Sequence, residues 1–341
     1  MESSDSARNV HYCYRDPLSE VWIAAAHKIG LKVERTADAF AHSDGKGGLH
    51  IATEEHLDAD DCLAQMIFHE LCHSLVEGPE AFETPDWGLD NRHDEHHFRE
   101  HAALRVQATL SGRVGLRDVL GPTTDFRAFY DALGLDPLAG TQDESTALAK
   151  RALRRAATNP WWPHLERALQ ATAEIVTVAA KWAAPSKSPV LYRRRQEPIA
   201  AHETGLPGRH PALGETCGDC AWRPESGHCH QADQVVSAGL HACERFEMPF
   251  DCQDCGACCR AAYHSVTIAD GDSVAAAHPK LVIVRENYTE MRREGDHCIA
   301  LVTDGSRHGC TIYEDRPTCC RDFANAGQHC VTARRRLGFS L

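Results

Sequence analysis

Residues 68–78 read FHELCHSLVEG, and His69 and His73 stand four positions apart with Glu70 directly after the first. On an α-helix, positions i and i+4 share a face, with Cβ atoms about 5–6 Å apart. Two imidazoles so placed both reach one metal ion at about 2.0–2.1 Å. Glu70 then hangs beside the ion without ligating it, where a general base takes a proton from an attacking water. A catalytic zinc also needs a third protein ligand and an open fourth position. The next helical stretch offers Glu95, His96, His97, Glu100 and His101, with Glu100 placed 27 residues after His73. The chemistry within reach of such a set is metal-assisted hydrolysis. Cys72, inside the motif, reads as a small buried hydrophobe.

A second kind of chemistry lies downstream, because 13 of the 16 cysteines follow residue 216. FDCQDCGACCR holds Cys252, Cys255, Cys258 and Cys259, and Cys298, Cys310, the pair Cys319–Cys320, and Cys330 come after it. Thiolates at offsets of two and three residues can wrap one metal ion or cluster, and Gly256 permits the tight turn. A smaller set precedes them: Cys217, Cys220, Cys229 and Cys243, opening as CxxC. It reads as a knuckle-type site of four thiolates, in which His228 or His230 could replace one of them. Ligand identity does not separate zinc from iron–sulfur, since both take sets of four cysteines.

Composition bounds these readings. A chain of 341 residues suggests two or three domains. A net charge of −13 disfavours binding to nucleic-acid phosphates. Residues 50–101 hold 14 Asp and Glu against two Arg, which is either a solvated acidic face or an attractant for cations and basic peptides. The N-terminus MESSDSARNVHYCYRDP has no basic start followed by an apolar run, and no stretch approaches ~18 consecutive apolar residues. The expectation is a cytoplasmic protein without membrane contact, whose thiols stay reduced or bind metal. No glycine-rich nucleotide loop follows a strand.

The elements that must position these residues read as α+β. Apolar spacing predicts a helix over 18–29, then strands in LKVERT and GLHIAT separated by the turn DGKGG. After the acidic DADD at 58–61 comes the motif helix. Its Leu63, Met66, Ile67, Leu71 and Leu75 should face the core, and Gly78-Pro79 should end it. A further helix is expected over 94–111. Residues 125–184 read as a helical extension packed on the histidine-site domain, with a break at Trp161-Trp162-Pro163. Residues 185–214, with five prolines, read as a linker. The remaining divisions are a four-cysteine module over 215–249 and an irregular cysteine-rich domain over 250–341. In both, metal would supply the stability that a small core cannot.

Residues 20–115 resemble the gluzincin branch of zinc metallopeptidases, through HELCH and a glutamate on a later helix. The resemblance implies a zincin-like N-terminal domain with Zn2+ on His69, His73 and Glu100, and with Glu70 as catalytic base and proton shuttle. His96 or His97 as third ligand would give an all-histidine site instead. It also implies a peptide or protein substrate lying along a strand before the motif helix, a place GLHIAT would fill. His93, His97 and His101 are candidates for stabilising the oxyanion.

Residues 250–335 are similar to the YkgJ-like cysteine-cluster family of zinc- or iron-chelating domains, through CxxCGxCCR, CxIYxxRPxxCRxF and a last cysteine. The same cluster occurs in flagellin lysine-N-methylases. The resemblance implies Cys252, Cys255, Cys258, Cys259, Cys298, Cys310, Cys320 and Cys330 as ligands, leaving Cys319 aside. The leading reading is a zinc-dependent hydrolase, expected to be a peptidase, whose C-terminal metal region serves structure, redox sensing or docking. The alternative is an iron–sulfur redox or metal-handling protein in which the histidine site is not catalytic.

Overall fold

The computed structural model describes residues 11–90, 96–123, 125–140, 143–187 and 190–341. Helix α1 spans Pro17–Ile29; Asp16 caps it by accepting from the Ser19 N–H at 2.8 Å, and left-handed Gly30 ends it. Leu18, Trp22, Ala25, Ala26 and Ile29 form its buried stripe. Strands β1 (Lys32–Thr36), β2 (Ala41–Ser43) and β3 (Gly48–Ala52) make one sheet in the order β1-β3-β2. β3 runs parallel to β1 and antiparallel to β2.

That order corrects one expectation. GLHIAT forms β3, but β3 is the central strand, so its backbone is paired on both sides and cannot carry a substrate. The outer strand on that side is the short β2, which the sequence reading missed.

Helix α2 (Leu63–Glu77) carries the histidine motif. Cys62 caps it in a reciprocal arrangement with Gln65, whose amide also donates to the Gly121 carbonyl at 2.6 Å. At the other end Gly78 breaks the helix at φ 96°, and Arg155 donates to the otherwise unpaired carbonyls of Leu75 and Val76. The helix is buried nearly all round, unlike a surface helix with one apolar stripe. Met66, Ile67, Leu71 and Leu75 enter the core as expected, and Leu63 packs against it half-buried.

Helix α3 (His97–Arg113) lies against α2, followed by α4 (Arg127–Ala132), α5 (Glu144–Arg155) and α6 (His164–Trp182). One core runs from Leu18 to Val176 and takes in Leu341 as well, so it crosses the boundary expected at residue 124. Trp22 meets Phe68 at a tilt, with ring centroids 4.9 Å apart, and donates to Thr172 on α6, which ties α1, α2 and α6 together. Among the described residues no helix is long and apolar enough to cross a membrane.

Residues 190–214 contain the short helical turns Leu191–Arg194 and Pro211–Leu213 and are strapped down rather than free. The Gln196 N–H donates to the Gly115 carbonyl at 3.0 Å, and Arg209 pairs with Asp136 at 2.7 Å. Beyond them the chain forms two- and three-stranded ribbons around small apolar clusters, and ends in the helix Gln328–Leu337. The α+β expectation holds.

Candidate metal centres

The one-turn spacing on α2 and the first turn of α3 bring His69, His73 and Glu100 to a point. Among the described residues this is the group in which three ligating atoms lie within 4.8 Å of one another. The two Nε2 atoms are 3.1 Å apart; Glu100 Oε1 lies 3.4 Å from His69 Nε2, and its Oε2 lies 3.1 Å from His73 Nε2. A tetrahedron with corners 2.0–2.1 Å from its centre has edges of about 3.3–3.4 Å, so these separations fit zinc with nitrogen and oxygen ligands.

The donor chemistry fits as well. Gln107 on α3 is fully buried, and its Nε2–H donates to the Leu120 carbonyl at 2.7 Å, which turns its Oε1 toward His69 Nδ1 at 2.9 Å. In the neutral ring Nδ1 then carries the proton, which leaves the Nε2 lone pair facing the convergence point. One atom of the set, His73 Nδ1, is buried without a hydrogen-bond partner among the described residues. Burial alone would depress the basicity of His69. The hydrogen bond and charge of Glu100, then Glu70 and Gln107, outweigh it and push the imidazole up to about 9. For Glu100, burial works upward, but the charges and hydrogen bonds of His73 and His69 hold it well below the usual carboxylate range. A field that binds a proton so firmly between two imidazoles and a carboxylate is equally suited to a dication.

Glu70 is buried beside the trio, where Trp87 Nε1–H donates to its Oε2 at 2.8 Å. Trp87 is itself held in the left-handed region, at φ 57° and ψ 16°, a conformation that costs a non-glycine residue roughly 1–2 kcal/mol. Its backbone N–H donates to Ser43 on β2 at 3.3 Å, and Arg99 on α3 donates to the neighbouring Gly88 carbonyl at 2.9 Å. Neither Trp87 nor Gln107 was singled out by sequence reasoning.

The other candidates on α3 point elsewhere. His96 Nδ1 accepts from the Asp90 N–H at 3.0 Å, His97 meets the edge of Phe126, and His101 stacks on Phe129 at 3.7 Å. They take no part in the trio. His93 and Glu95 lie outside the described residues. The acidic run divides in two: Glu70 and Glu100 are buried in the site, whereas Glu54, Glu55, Asp58 and Asp60 face solvent.

In the C-terminal region, Cys252, Cys258, Cys259, Cys298, Cys310 and Cys320 line one cavity of about 450 Å³. Cys319, set aside on motif grounds, lines it too. Cys255 and Cys330 do not. Cys255 is buried facing Arg334, which donates to its sulfur at 3.0 Å, and Cys330 packs with Trp222 and Val331. In each adjacent pair one thiol is activated by its neighbour. A hydrogen bond from Cys259 lowers Cys258 to about 7, and one from Cys320 lowers Cys319 to about 7, while the donors are raised. The thiolate is the form that ligates soft metals, and the Cys319 thiol donates to the Thr267 carbonyl at 3.3 Å. All the cysteines are free thiols.

Cys217, Cys220, Cys229 and Cys243 surround a separate, much smaller cavity. Burial pushes Cys220 up to about 11 and Cys243 up to about 12, so without a cation among them these thiols are neutral.

A fold with cysteines ringing an internal cavity and no extended core of its own defines a metal-chelating domain. Residues 251–336 match the CxxCxxCC family, described as "Putative zinc- or iron-chelating domain". The chain is 30% identical over 101 residues to the uncharacterized protein YkgJ of Escherichia coli O157:H7, an alignment spanning 26% of this chain and 93% of that protein. Through this region the chain belongs to the CxxCxxCC family. No solved structure matches the chain.

Proposed function

We propose that the chain is a zinc-dependent hydrolase acting on peptide bonds, with a cysteine-ligated metal domain fused behind it. The observation that carries this reading is the spacing of His69, His73 and Glu100, with Glu70 held by Trp87 at their side. When bound, zinc supplies a Lewis acid that polarises the carbonyl oxygen and acidifies water. The chain's own residues do the rest. Trp87 engages Oε2 of Glu70, which leaves Oε1 to accept a proton from the attacking water. The water oxygen bonds to the carbonyl carbon, the carbon–nitrogen bond breaks, and Glu70 passes the proton to the departing amine. Ser43, Trp87 and Glu70 form a chain of contacts from the outer strand β2 to the base. The exposed acids before α2 favour a substrate with basic residues.

The experiment is Glu70→Gln in the full-length chain, incubated with a proteome-derived peptide mixture and read by mass spectrometry. Cleavage should fall by about 10²–10⁴-fold with zinc content unchanged. If parent and variant give the same cleavage products at the same rates, the hydrolase reading is wrong.

A second reading has its own observation. Seven cysteines line a cavity of about 450 Å³, far larger than the ~30 Å³ share of one water, which favours a cluster or a pair of ions there. In that reading the C-terminal domain is the working part, in redox or metal handling. Visible absorption of the anaerobically purified chain separates the cases, because zinc is colourless.

A further inference from the structure

Residues 215–249 lie outside the part matched to the family. Trp222, fully buried, packs with Cys330 and Val331 of the C-terminal region, and Phe246 is buried as well. The cluster internal to the segment is Cys217, Cys229 and Val236, with Ala232 and Leu240 partly buried. Two of its three members are therefore thiols. A unit of this size needs a crosslink or a metal to hold its shape, and no disulfide is present. Cys217 and Cys220 share one turn, Cys229 and Cys243 come from elsewhere in the segment, and the four line a cavity of about 10 Å³. That is room for one water-sized body and excludes a multi-iron cluster.

A fifth group arrives from the strap at 185–214. His202 Nε2 lies 3.3 Å from Cys217 Sγ. On the other side of the ring, the Thr204 N–H donates to Nδ1 at 3.2 Å. An amide N–H can only donate, so Nδ1 holds a lone pair and the neutral ring carries its proton on Nε2, facing the sulfur. His202 is thus a donor to Cys217, in the position of a group that orients a ligand. His228, a sequence candidate for replacing a thiolate, is instead engaged with Asp233 at 3.0 Å.

We propose that Cys217, Cys220, Cys229 and Cys243 hold one zinc ion that draws their sulfurs together, with His202 donating its Nε2–H to Cys217 and so fastening the 185–214 strap to the module. The site has no open position and its role is structural.

The test counts metals in the full-length chain and its variants, purified anaerobically. Cys220→Ser should carry one zinc fewer than the parent, with iron and sulfide unchanged. Cys229→His, which offers three thiolates and one imidazole, a set that zinc accepts, should keep the parental zinc count. After cobalt substitution it should lose part of the thiolate charge-transfer band, and this variant keeps the question open to measurement if Cys220→Ser does not fold. His202→Ala should keep the zinc but bind it about 10–100-fold more weakly in chelator competition. A parental zinc count in Cys220→Ser, or an unchanged cobalt spectrum in Cys229→His, overturns the site. A His202→Ala chain with parental affinity, or one missing a full zinc equivalent, overturns the donor role.

Discussion

Gln107 offers the cleanest test of the histidine centre, because it touches no ion and no substrate yet sets the orientation of a ligand. Gln107→Met keeps length and volume in a fully buried position while removing both polar contacts. The Leu120 carbonyl loses its donor, and His69 Nδ1–H loses its acceptor. A hydrogen bond to a group that carries charge in the bound state is worth about 1.5–3 kcal/mol. Removing such an outer partner typically weakens metal binding about 10–100-fold, or roughly 1.4–2.7 kcal/mol. The two ranges overlap near ~2 kcal/mol, which predicts about 30-fold weaker zinc binding.

The assay is competition with a chromophoric chelator. The zinc equivalent belonging to this site is identified as the one missing from His69→Ala. Gln107→Glu should bind zinc more tightly than Gln107→Met, since a carboxylate still accepts from Nδ1–H. An affinity for Gln107→Met within twofold of the parent would refute the reasoning, as would equal affinities for the Met and Glu variants.

The other predictions rest on neighbouring contacts. Trp87→Phe keeps a ring in the core but leaves Glu70 Oε2 without its donor, so peptide cleavage should fall about 10–100-fold at constant zinc content; loss of zinc instead would mean that Trp87 supports the ligands rather than the base. Because His69 is pushed up to about 9, the metal-free site is protonated at neutral pH and zinc must displace that proton. Apparent affinity should therefore rise with pH, about tenfold per unit per proton released, from pH 6 toward 8; a flat profile contradicts it. Arg334→Met leaves Glu247 as an unpaired buried charge and should destabilise the chain by about 3–5 kcal/mol in urea unfolding. A loss under 1 kcal/mol would show that the pair is solvated.

What could be read from the sequence was what is local and periodic. The helix bearing His69, Glu70 and His73 was legible because five apolar residues mark its inner face and Gly78 marks its end. Glu100 was legible as one of several ligand candidates, but not as the choice among them. His97 lies three residues earlier on the same helix, and it packs on Phe126 for a tertiary reason that no spacing records. Sheet order failed for a similar reason. Alternation marks GLHIAT as a strand, but which strands flank it depends on the return of Ala41–Ser43, too short to leave a pattern. Trp87 sits in a loop with a left-handed backbone, where neither period applies. Motif spacing placed Cys255 with the ligands, whereas the single turn Cys252–Cys255 directs it toward Arg334. His202 lay in a stretch whose prolines read as a linker.

The two metal regions are also mechanically joined, which their separation along the chain conceals. Lys150 and Arg151 on α5 donate to the carbonyls of Phe339 and Leu337, and Arg154 reaches those of Ser340 and Arg335. Leu341 closes into the same core as Leu71 and Leu75 of the motif helix. From the same last turn of the helix Gln328–Leu337, Arg334 donates to the Cys255 sulfur. Helix α5 packs on both α2 and α3, the two elements that supply the histidine centre. Cys255 lies three residues from the cavity-lining Cys252 and Cys258 and is not itself in the cavity wall. The buried cation tied to it sits on a helix whose last residues are held by α5, and so links the turn around the cavity to the packing around His69 and Glu100. The link consists of named contacts, and Arg334 is its narrowest point.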